Sequence, residues 1–240
     1  MRILSIAALM LFAVAAQAAE VTFTSGPRQT TLVELYTSEG CSSCPPAEKW
    51  FGGLKKDPRL WREIVPVAYY VDYWNYLGWR DPYSSKRWSA RQRAYKASGA
   101  ISSVYTPGFV INGEEWTGWF GPRIIPTSAK TAGVLQVKVK NDVVMARFKP
   151  AAKDTGDWVL HVAILGFGIK SEISSGENAG KELIHDFMVL NQVDASSARG
   201  RWRLKLPPVT QPFVKKFGIA AWVTKADDMT PVQVVGGWLP

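Results

Sequence analysis

The residues best suited to chemistry are the two cysteines of the 240-residue chain, Cys41 and Cys44. Residues 31–36 before them have the composition of a β-strand, and residues 47–56 after them show the helical spacing of apolar side chains. A C-x-x-C pair between a strand and a helix is typical of thiol chemistry, because a helix N-terminus stabilises a thiolate. The spacing therefore predicts that Cys41 is a reactive thiol and that Cys44, one turn further along, resolves a mixed disulfide with it.

Two other interpretations of the cysteine pair are open. As a structural crosslink it would close a loop of about four residues and contribute only about 1.9 kcal/mol, against about 4.7 kcal/mol for a loop of about 100 residues. As a zinc site it would need four ligands, and the two histidines, His161 and His185, lack zinc-finger spacing. A copper ion held by both thiolates is the remaining metal option. Among these interpretations, the sequence favours thiol–disulfide exchange.

A proline supports the exchange interpretation. It is Pro107 in Thr106-Pro107-Gly-Phe-Val110, and it directly precedes a strand-like segment. The chain resembles the thioredoxin superfamily in having a strand, a C-x-x-C at a helix start and a later proline before a strand. In that superfamily a cis-proline loop faces the cysteines. The resemblance implies that the Thr106–Pro107 bond is cis, that the backbone of Thr106 pairs with substrate, and that Pro107 keeps metal ions away from the dithiol.

The same resemblance implies a role for Glu34, which lies on the strand before the cysteines. Thioredoxins keep a buried acid on that strand, and it relays a proton to the second cysteine. A partly buried Glu34 would have a raised pKa suited to this relay, whereas a solvated Glu34 at the sheet edge would not. The chain departs from thioredoxin in the spacing between acid and cysteine, at Gly40 in place of tryptophan, and at Ser42-Ser43. The direction of electron flow is therefore not implied.

A narrower resemblance covers residues 34–46, 71–82 and 105–107. These segments are similar to an exported thioredoxin-like family of unknown function that occurs in bacteria and plants. Residues 176–180, together with His185, also resemble that family. The resemblance implies a thioredoxin-like fold and export, and it implies no particular activity.

Two further segments have compositions suited to contact with the cysteines. Residues 72–81 carry four aromatic side chains and follow a predicted strand, so they either flank Cys41 and bind a peptide or form a satellite core. Residues 176–181 form a turn-rich connection. If this connection folds back over the site, we expect contacts to substrate from Glu177, Asn178 and His185.

The first 18 residues have the features of a signal peptide. Arg2 precedes an apolar run, and Ala16-Gln17-Ala18 has the small-x-small pattern of a cleavage site, so we expect cleavage near Ala18 and a periplasmic or secreted protein. No later stretch is long and apolar enough to span a membrane. The formal net charge is +9, but export makes nucleic acid an unexpected partner. Basic residues such as Arg91 are therefore predicted on solvated faces of helices and strands.

The elements that must position this site fall into two predicted domains. Residues 19–132 alternate strands and helices, with helices expected at 84–98 and 121–132, and predict a thioredoxin-like α/β domain. Residues 133–240 contain about seven short strand-like segments and predict a mostly β, sandwich-like domain. The alternative is that this second part extends the sheet of the first. The predicted fold class is therefore α/β, with a thioredoxin-like domain followed by a β domain.

These observations predict an exported thiol–disulfide oxidoreductase that exchanges disulfides through Cys41 and Cys44. The cysteines carry the electrons themselves, so no cofactor is expected. The expected partners are protein or peptide thiols and disulfides. The alternative is a non-catalytic thioredoxin-like binding module that holds a metal ion or a partner protein. The sequence predicts neither the oligomeric state nor the physiological substrate.

Overall fold

The structure is a computed structural model that describes residues 20–152, 156–209, 211 and 213–240. The predicted signal peptide, residues 1–18, lies outside the described residues. Within them the chain forms fourteen β-strands and two α-helices, and strands account for 44% of the residues against 13% for helices. The predicted α/β fold class, a thioredoxin-like domain followed by a sandwich-like β domain, was therefore wrong. The protein is mostly β, and its strands are divided among several sheets.

The elements follow one another in chain order. Before residue 133 lie β1 (Glu20–Thr24), β2 (Thr31–Thr37), α1 (Cys44–Gly53), β3 (Ile64–Tyr70), α2 (Lys86–Ala97), β4 (Gly108–Ile111) and β5 (Glu114–Glu115). The rest are β6 (Gly133–Lys140), β7 (Val143–Pro150), β8 (Trp158–Phe167), β9 (Ile169–Glu172), β10 (Glu182–His185), β11 (Met188–Ser197), β12 (Arg201–Lys205), β13 (Lys216–Lys225) and β14 (Gln233–Trp238). The strands predicted beyond residue 133 are all present. Four strands, β1, β5, β9 and β10, were not predicted.

The main error among the predicted helices concerns residues 121–132, which form no helix. Pro122 and Pro126 lie in this segment, and a proline inside a helix removes a backbone donor and clashes with the preceding turn. Arg123 has a φ of 57°, which a right-handed helix does not contain. The other two predicted helices are present as α1 and α2. The missing helix and the additional strands together account for the mostly β composition.

The largest sheet has eight strands in the order β14-β13-β8-β11-β3-β2-β4-β5. β2 runs parallel to β3 along its whole length, and β11 joins β3 in parallel through Met188 and Ala68. The other neighbouring strands in this sheet are antiparallel. The second part of the chain therefore extends the sheet of the first part. A division into domains between residues 132 and 133 remains a prediction.

A second sheet, β1-β6-β7-β12, packs against the end of the large sheet. Alternate residues of β6, Leu135, Val137 and Val139, are buried, as expected for a strand with one face in a core. They share an apolar core with Leu160 and Val162 of β8. This core lies between the second sheet and strands β8, β13 and β14 of the large sheet.

The other core surrounds β2 and β3, whose residues are buried throughout. The Thr37 hydroxyl on β2 donates to Glu48 of α1 at 2.6 Å, whereas Glu34 on β2 pairs with Arg91 of α2. Because successive side chains of a strand point to opposite faces, the two helices cover opposite faces of the sheet. The cysteines therefore lie at the C-terminal end of β2, on the α1 face.

β9 and β10 form a separate two-stranded ribbon beside α1. Lys55 Nζ forms an ion pair with Asp186 at 2.6 Å, directly after β10. A Cβ atom at Gly52 would lie 2.8 Å from Asp186 Oδ2, so this close approach depends on the glycine. Along the part of the chain that the structure describes, no helix has the length and apolar composition that a membrane span requires.

Gln233, at the start of β14, fastens the N-terminal segment to both sheets. The side chain is fully buried, and its Oε1 accepts a hydrogen bond from the amide of Thr30 at 2.9 Å. Its Nε2 lies 2.6–3.1 Å from three backbone carbonyls, those of Gly26, Arg28 and Gly133. One side chain therefore pairs with two backbone groups of buried residues, the amide of Thr30 and the carbonyl of Gly133.

Replacing Gln233 with Leu should lower the free energy of unfolding by about 3 kcal/mol or more, because each buried polar group left unpaired costs about 1–3 kcal/mol. Urea unfolding of the variant and of the unsubstituted protein measures this loss. Gln136→Leu, at an exposed position on β6, is the control and should change stability by less than about 0.5 kcal/mol. Equal effects of the two substitutions would contradict the role given to Gln233.

Candidate functional site

Cys41 and Cys44 form a disulfide at the N-terminus of α1, with their Cα atoms 5.4 Å apart. Cys44 is the first residue of the helix, Ser43 is its N-cap, and Pro45 follows. Proline is compatible with this position because the first amides of a helix have no acceptor within it. Cys44 is fully buried, and only 2% of the surface of Cys41 is exposed. The predicted pair is therefore present, and in the oxidised state it is nearly closed to solvent.

Residues 38–43, here called the cysteine loop, connect β2 to this helix. The Ser38 hydroxyl accepts from the amide of Gly40 at 3.1 Å, and the Ser38 carbonyl accepts from the amide of Cys41 at 3.2 Å. A Cβ atom at Gly40 would lie 3.3 Å from both the Cβ and the carbonyl oxygen of Trp74. The space before the first cysteine is therefore filled by Trp74, which comes from a distant loop.

Trp74 also connects the cysteine loop to the predicted proline loop. Its indole N–H donates to the hydroxyl of Thr106 at 2.6 Å. The Thr106–Pro107 bond is cis, as predicted, and it directly precedes β4. Because Gly108 of β4 pairs with Tyr36 of β2, the proline loop and the cysteine loop lie at the same edge of the sheet. The structure thus brings together four of the five predicted site residues: Cys41, Cys44, Thr106 and Pro107.

Glu34, the fifth predicted site residue, lies on the opposite face of the sheet. It is fully buried, and its carboxylate accepts hydrogen bonds of 2.8 and 2.9 Å from Arg91 of α2. The hydroxyls of Tyr36 and Tyr95 donate to it at 2.7 Å each. The sheet therefore separates Glu34 from Cys44, and this position gives no support to the predicted proton relay. Arg91, expected on a solvated face, is instead largely buried against Glu34.

A buried histidine joins the two ends of the cysteine segment. His185 Nε2 lies 3.0 Å from Glu39 Oε1, and its Nδ1 lies 2.7 Å from Glu48 Oε2. Glu39 stands two residues before Cys41, and Glu48 stands four residues after Cys44 on α1. His185 and Glu39 are fully buried, and Glu48 is nearly so. The histidine therefore holds the cysteine loop and α1 from one point on β10.

Neighbouring side chains complete this buried cluster. The indole N–H of Trp79 donates to Glu39 Oε2 at 2.8 Å, and the hydroxyl of Tyr70 donates to Glu48 Oε2 at 2.8 Å. The amide of Glu39 donates to Asp81 Oδ2 at 3.0 Å. Every carboxylate of the cluster thus has hydrogen-bond donors, which is the condition under which buried charges are tolerated.

The charges of this cluster are set by their neighbours. Burial alone lowers the pKa of His185, but the charges of Glu48 and Glu39 and their hydrogen bonds outweigh it and raise that pKa to about 10. Burial raises the pKa of Glu39, but the hydrogen bonds from His185, Ser171 and Trp79 and the charge of His185 together outweigh it and lower that pKa. Burial and the charge of Glu39 raise the pKa of Asp81 to about 7. At neutral pH, His185 is therefore an imidazolium between two carboxylates, and both ring nitrogens act as donors.

Residues 173–181, between β9 and β10, fold back onto the cysteine loop. The buried side chain of Asn178 donates to the carbonyls of Glu39 and Cys41 at 2.7 and 3.0 Å. Glu177 Oε2 accepts from the amide of Ser42 at 3.0 Å. The sequence left open whether this segment folds back over the site, and the structure shows that it does. A contact between these side chains and substrate stays a prediction.

Sequence reasoning did not identify the buried cluster as a unit. The positions of Glu39 and Glu48 around the C-x-x-C were a usable signal, because residues 44 and 48 share one face of a helix. Their partner His185 is 137 residues from Glu48, and no local pattern links them. Only the folded arrangement of β10 against α1 brings this histidine to the cysteines.

A cavity lies beside the start of α1, and neither cysteine is among the residues that line it. It has a volume of about 480 Å³ and opens between α1 and β10, with Pro45, Lys49 and Ile184 in its wall. Across residues 20–152, 156–209, 211 and 213–240, no group of three or more His, Cys, Asp and Glu side chains is arranged to hold a metal ion. The other histidine, His161, is bound to Asp194 at 2.8 Å in a different part of the structure.

Residues 32–224 match the model of a family described as "Protein of unknown function (DUF1223)". This chain belongs to that family. The expected membership of a family of unknown function is confirmed, and no comparison confirms membership of the thioredoxin superfamily. A search of curated proteins finds no match.

Two solved structures resemble this member of the family. A crystal structure of a protein from Agrobacterium tumefaciens is 24% identical, with a TM-score of 0.61, and the alignment covers 90% of this chain and 96% of that one. HBP35 of Porphyromonas gingivalis is 17% identical, with a TM-score of 0.58, and the alignment covers 90% of this chain and 76% of that one. At these identities the likeness concerns the fold alone.

The pKa of His185 predicts how stability depends on pH. A histidine whose pKa is higher in the folded state stabilises the fold fully below the unfolded value of about 6.5 and ceases to do so as the pH rises through the folded value. Between pH 7.5 and 9.5, we therefore expect the free energy of unfolding of the oxidised protein to fall by about 1 kcal/mol per pH unit. Urea unfolding at several pH values measures this slope.

His185→Gln should abolish the slope, whereas His161→Gln should keep it. The raised pKa of Asp81 also makes stability fall with pH, but that effect is nearly complete by about pH 8 and therefore adds only to the lower end of the measured window. The same slope in both variants would contradict the assignment of the buried charge to His185.

Proposed function

We propose that this protein is an exported thiol–disulfide oxidoreductase that acts through Cys41 and Cys44. The observation that carries the proposal is the C-x-x-C disulfide at the N-terminus of α1, beside the loop of Thr106 and Pro107. Oxidoreductases of the thioredoxin superfamily use this local arrangement, and a relationship to that superfamily is part of the proposal. It concerns the chemistry of the site, because the overall fold is mostly β.

The reaction is an exchange of disulfides. A substrate thiolate attacks Sγ of Cys41, breaks the Cys41–Cys44 bond and forms a mixed disulfide, while the Cys44 sulfur leaves with the bonding electrons and takes up a proton. A second substrate thiolate attacks the substrate sulfur of the mixed disulfide and releases the Cys41 thiolate. Two substrate thiols become a disulfide as the protein disulfide becomes two thiols. The reverse sequence reduces a substrate disulfide.

The Thr106–Pro107 loop would position the substrate next to Cys41. Trp74 contacts this loop through its indole N–H and the cysteine loop through its Cβ and carbonyl, so it holds one loop against the other. A substrate backbone pairing at Thr106 would therefore lie at a fixed distance from the reacting sulfur. Such positioning lowers the barrier because the reacting atoms do not have to be brought together by diffusion.

His185 would act as a positioning residue for the exchange. Through Glu39 it fixes the segment before Cys41, and through Glu48 it fixes the helix that carries Cys44. The two sulfurs must separate when the disulfide is reduced and meet again when it forms. A charged contact at both ends of the segment keeps them within reach of each other in both states.

The proposed location is the periplasm or the exterior of the cell. It rests on the signal-peptide pattern of residues 1–18 and on the presence of a disulfide, a bond that persists in oxidising compartments. The proposed partners are proteins or peptides that carry thiols or disulfides.

A second candidate is a non-catalytic module that binds a partner protein or a metal ion. The low exposure of Cys41 and the cover provided by residues 173–181 favour it. An external thiol reaches Cys41 only when this cover moves. Exchange and binding differ in whether a covalent intermediate forms at Cys41.

A Cys44→Ser variant should therefore accumulate mixed disulfides through Cys41, because the resolving thiol is absent. The reduced variant is mixed with a peptide that contains one disulfide, and the products are identified by non-reducing electrophoresis and mass spectrometry. The wild-type protein should reduce the same peptide and end with the Cys41–Cys44 disulfide.

Cys41→Ser is the matched control, since it retains one thiol of the pair in the buried position. It should trap less than about a tenth as much peptide, because a buried thiol is less accessible. Equal trapping by the two variants would contradict the assignment of the nucleophile. No adduct with either variant, together with a wild-type protein that leaves the peptide disulfide intact, would favour the binding module.

A further inference from the structure

Glu177 places a carboxylate against the backbone of the cysteine loop. Its Oε2 accepts a hydrogen bond of 3.0 Å from the amide of Ser42, which is next to Cys41 in the sequence. The adjacent residue, Asn178, is fully buried and bound to the carbonyls of Glu39 and Cys41. The buried and hydrogen-bonded Asn178 therefore fixes the backbone position of Glu177, whose own side chain is exposed.

The start of α1 has few amide groups to offer a thiolate. Pro45 and Pro46 carry no amide hydrogen, and the amide of Cys44 donates to the carbonyl of Cys41 at 3.2 Å. The amide of Ser42 is one of the amides still available to a thiolate, and it donates its hydrogen bond to Glu177 instead. Backbone amides at a helix N-terminus are what normally lowers the pKa of the first cysteine.

The carboxylate acts on the reduced form more than on the oxidised form. The disulfide carries no charge, so the negative charge of Glu177 has little effect on the free energy of the oxidised form. In the reduced form, a Cys41 thiolate would meet the negative charge of Glu177 and would compete with it for the Ser42 amide. Because Glu177 destabilises the thiolate, it raises the free energy of the reduced form. The disulfide is then harder to reduce.

We infer that Glu177 sets the redox equilibrium of the Cys41–Cys44 pair by holding the Ser42 amide and opposing the Cys41 thiolate. The inference rests on the proposed exchange function and gives it a bias in direction. The site is a weaker oxidant than the same C-x-x-C would be without Glu177. It is thereby biased towards giving electrons to substrate disulfides.

The test compares wild-type protein with Glu177→Gln in buffers of defined glutathione ratio. The equilibrium transfers two electrons from two glutathione thiols to the protein disulfide and yields a protein dithiol and glutathione disulfide. We expect the variant to be reduced about three- to tenfold more readily, a shift of about 15–30 mV to a higher potential. The thiol pKa of Cys41, measured in a Cys44→Ser background by thiolate absorbance, should fall with the same substitution.

Glu182→Gln is the matched control. It removes one exposed carboxylate from the neighbouring strand β10, where Glu182 pairs with Lys170. This control should leave the equilibrium constant and the thiol pKa unchanged.

The outcomes separate the inference from the function on which it rests. If wild-type protein equilibrates with glutathione and Glu177→Gln has the same equilibrium constant, the inference is overturned and the exchange function stands. If the wild-type cysteines form no mixed disulfide with glutathione, both are overturned. A shift of equal size in Glu182→Gln would mean that the equilibrium constant depends only on the net charge of the protein. That result would also overturn the role of Glu177.

Discussion

The site depends on one buried cation held between two carboxylates. Moving an imidazolium and two carboxylates out of water is costly, and the cost is offset only when each charge is paired and hydrogen-bonded. His185 meets this condition through Glu39 and Glu48, which in turn accept from Trp79, Tyr70 and other donors. A single side chain thus joins β10, the cysteine loop and α1 through two contacts. Losing His185 would leave Glu39 and Glu48 in the protein interior without their shared counter-charge.

This arrangement explains why the two parts of the chain share one structure. The cysteines and the proline loop come from the part before residue 133, while His185, Glu177 and Asn178 come from the part after it. The eight-stranded sheet brings these parts together, and the β9–β10 ribbon carries the later residues to the disulfide. The strand-rich part therefore supplies contacts at the candidate site as well as most of the second apolar core.

The local features of the site could be predicted from sequence because they depend on residues close together in the chain. The C-x-x-C at a helix start and the cis bond before Pro107 belong to this class, as do the strands with period-two burial such as β6. The fold class could not be predicted in the same way. It depends on how strands from distant segments share a sheet, and two prolines prevent the helix expected at residues 121–132.

Pairing between distant charges was the other source of error. Glu34 is buried, as the predicted proton relay would require. Its partner, however, is Arg91, and both lie on the opposite face of the sheet from Cys44. The acids that do lie near the cysteines are Glu39 and Glu48, and both pair with a histidine from β10. A sequence shows which residues are titratable, but the folded structure decides which of them are neighbours.

The state of the His185 ring tests this account most directly. In protein labelled with ¹⁵N in histidine, the chemical shifts of the two ring nitrogens report whether each carries a proton, and they can be followed from pH 5 to pH 11. The account predicts that both nitrogens of His185 stay protonated well above neutral pH and lose a proton only near pH 10. A His185 ring that is neutral at pH 7 would contradict it, because the cysteine loop and α1 would then not be joined by a buried cation.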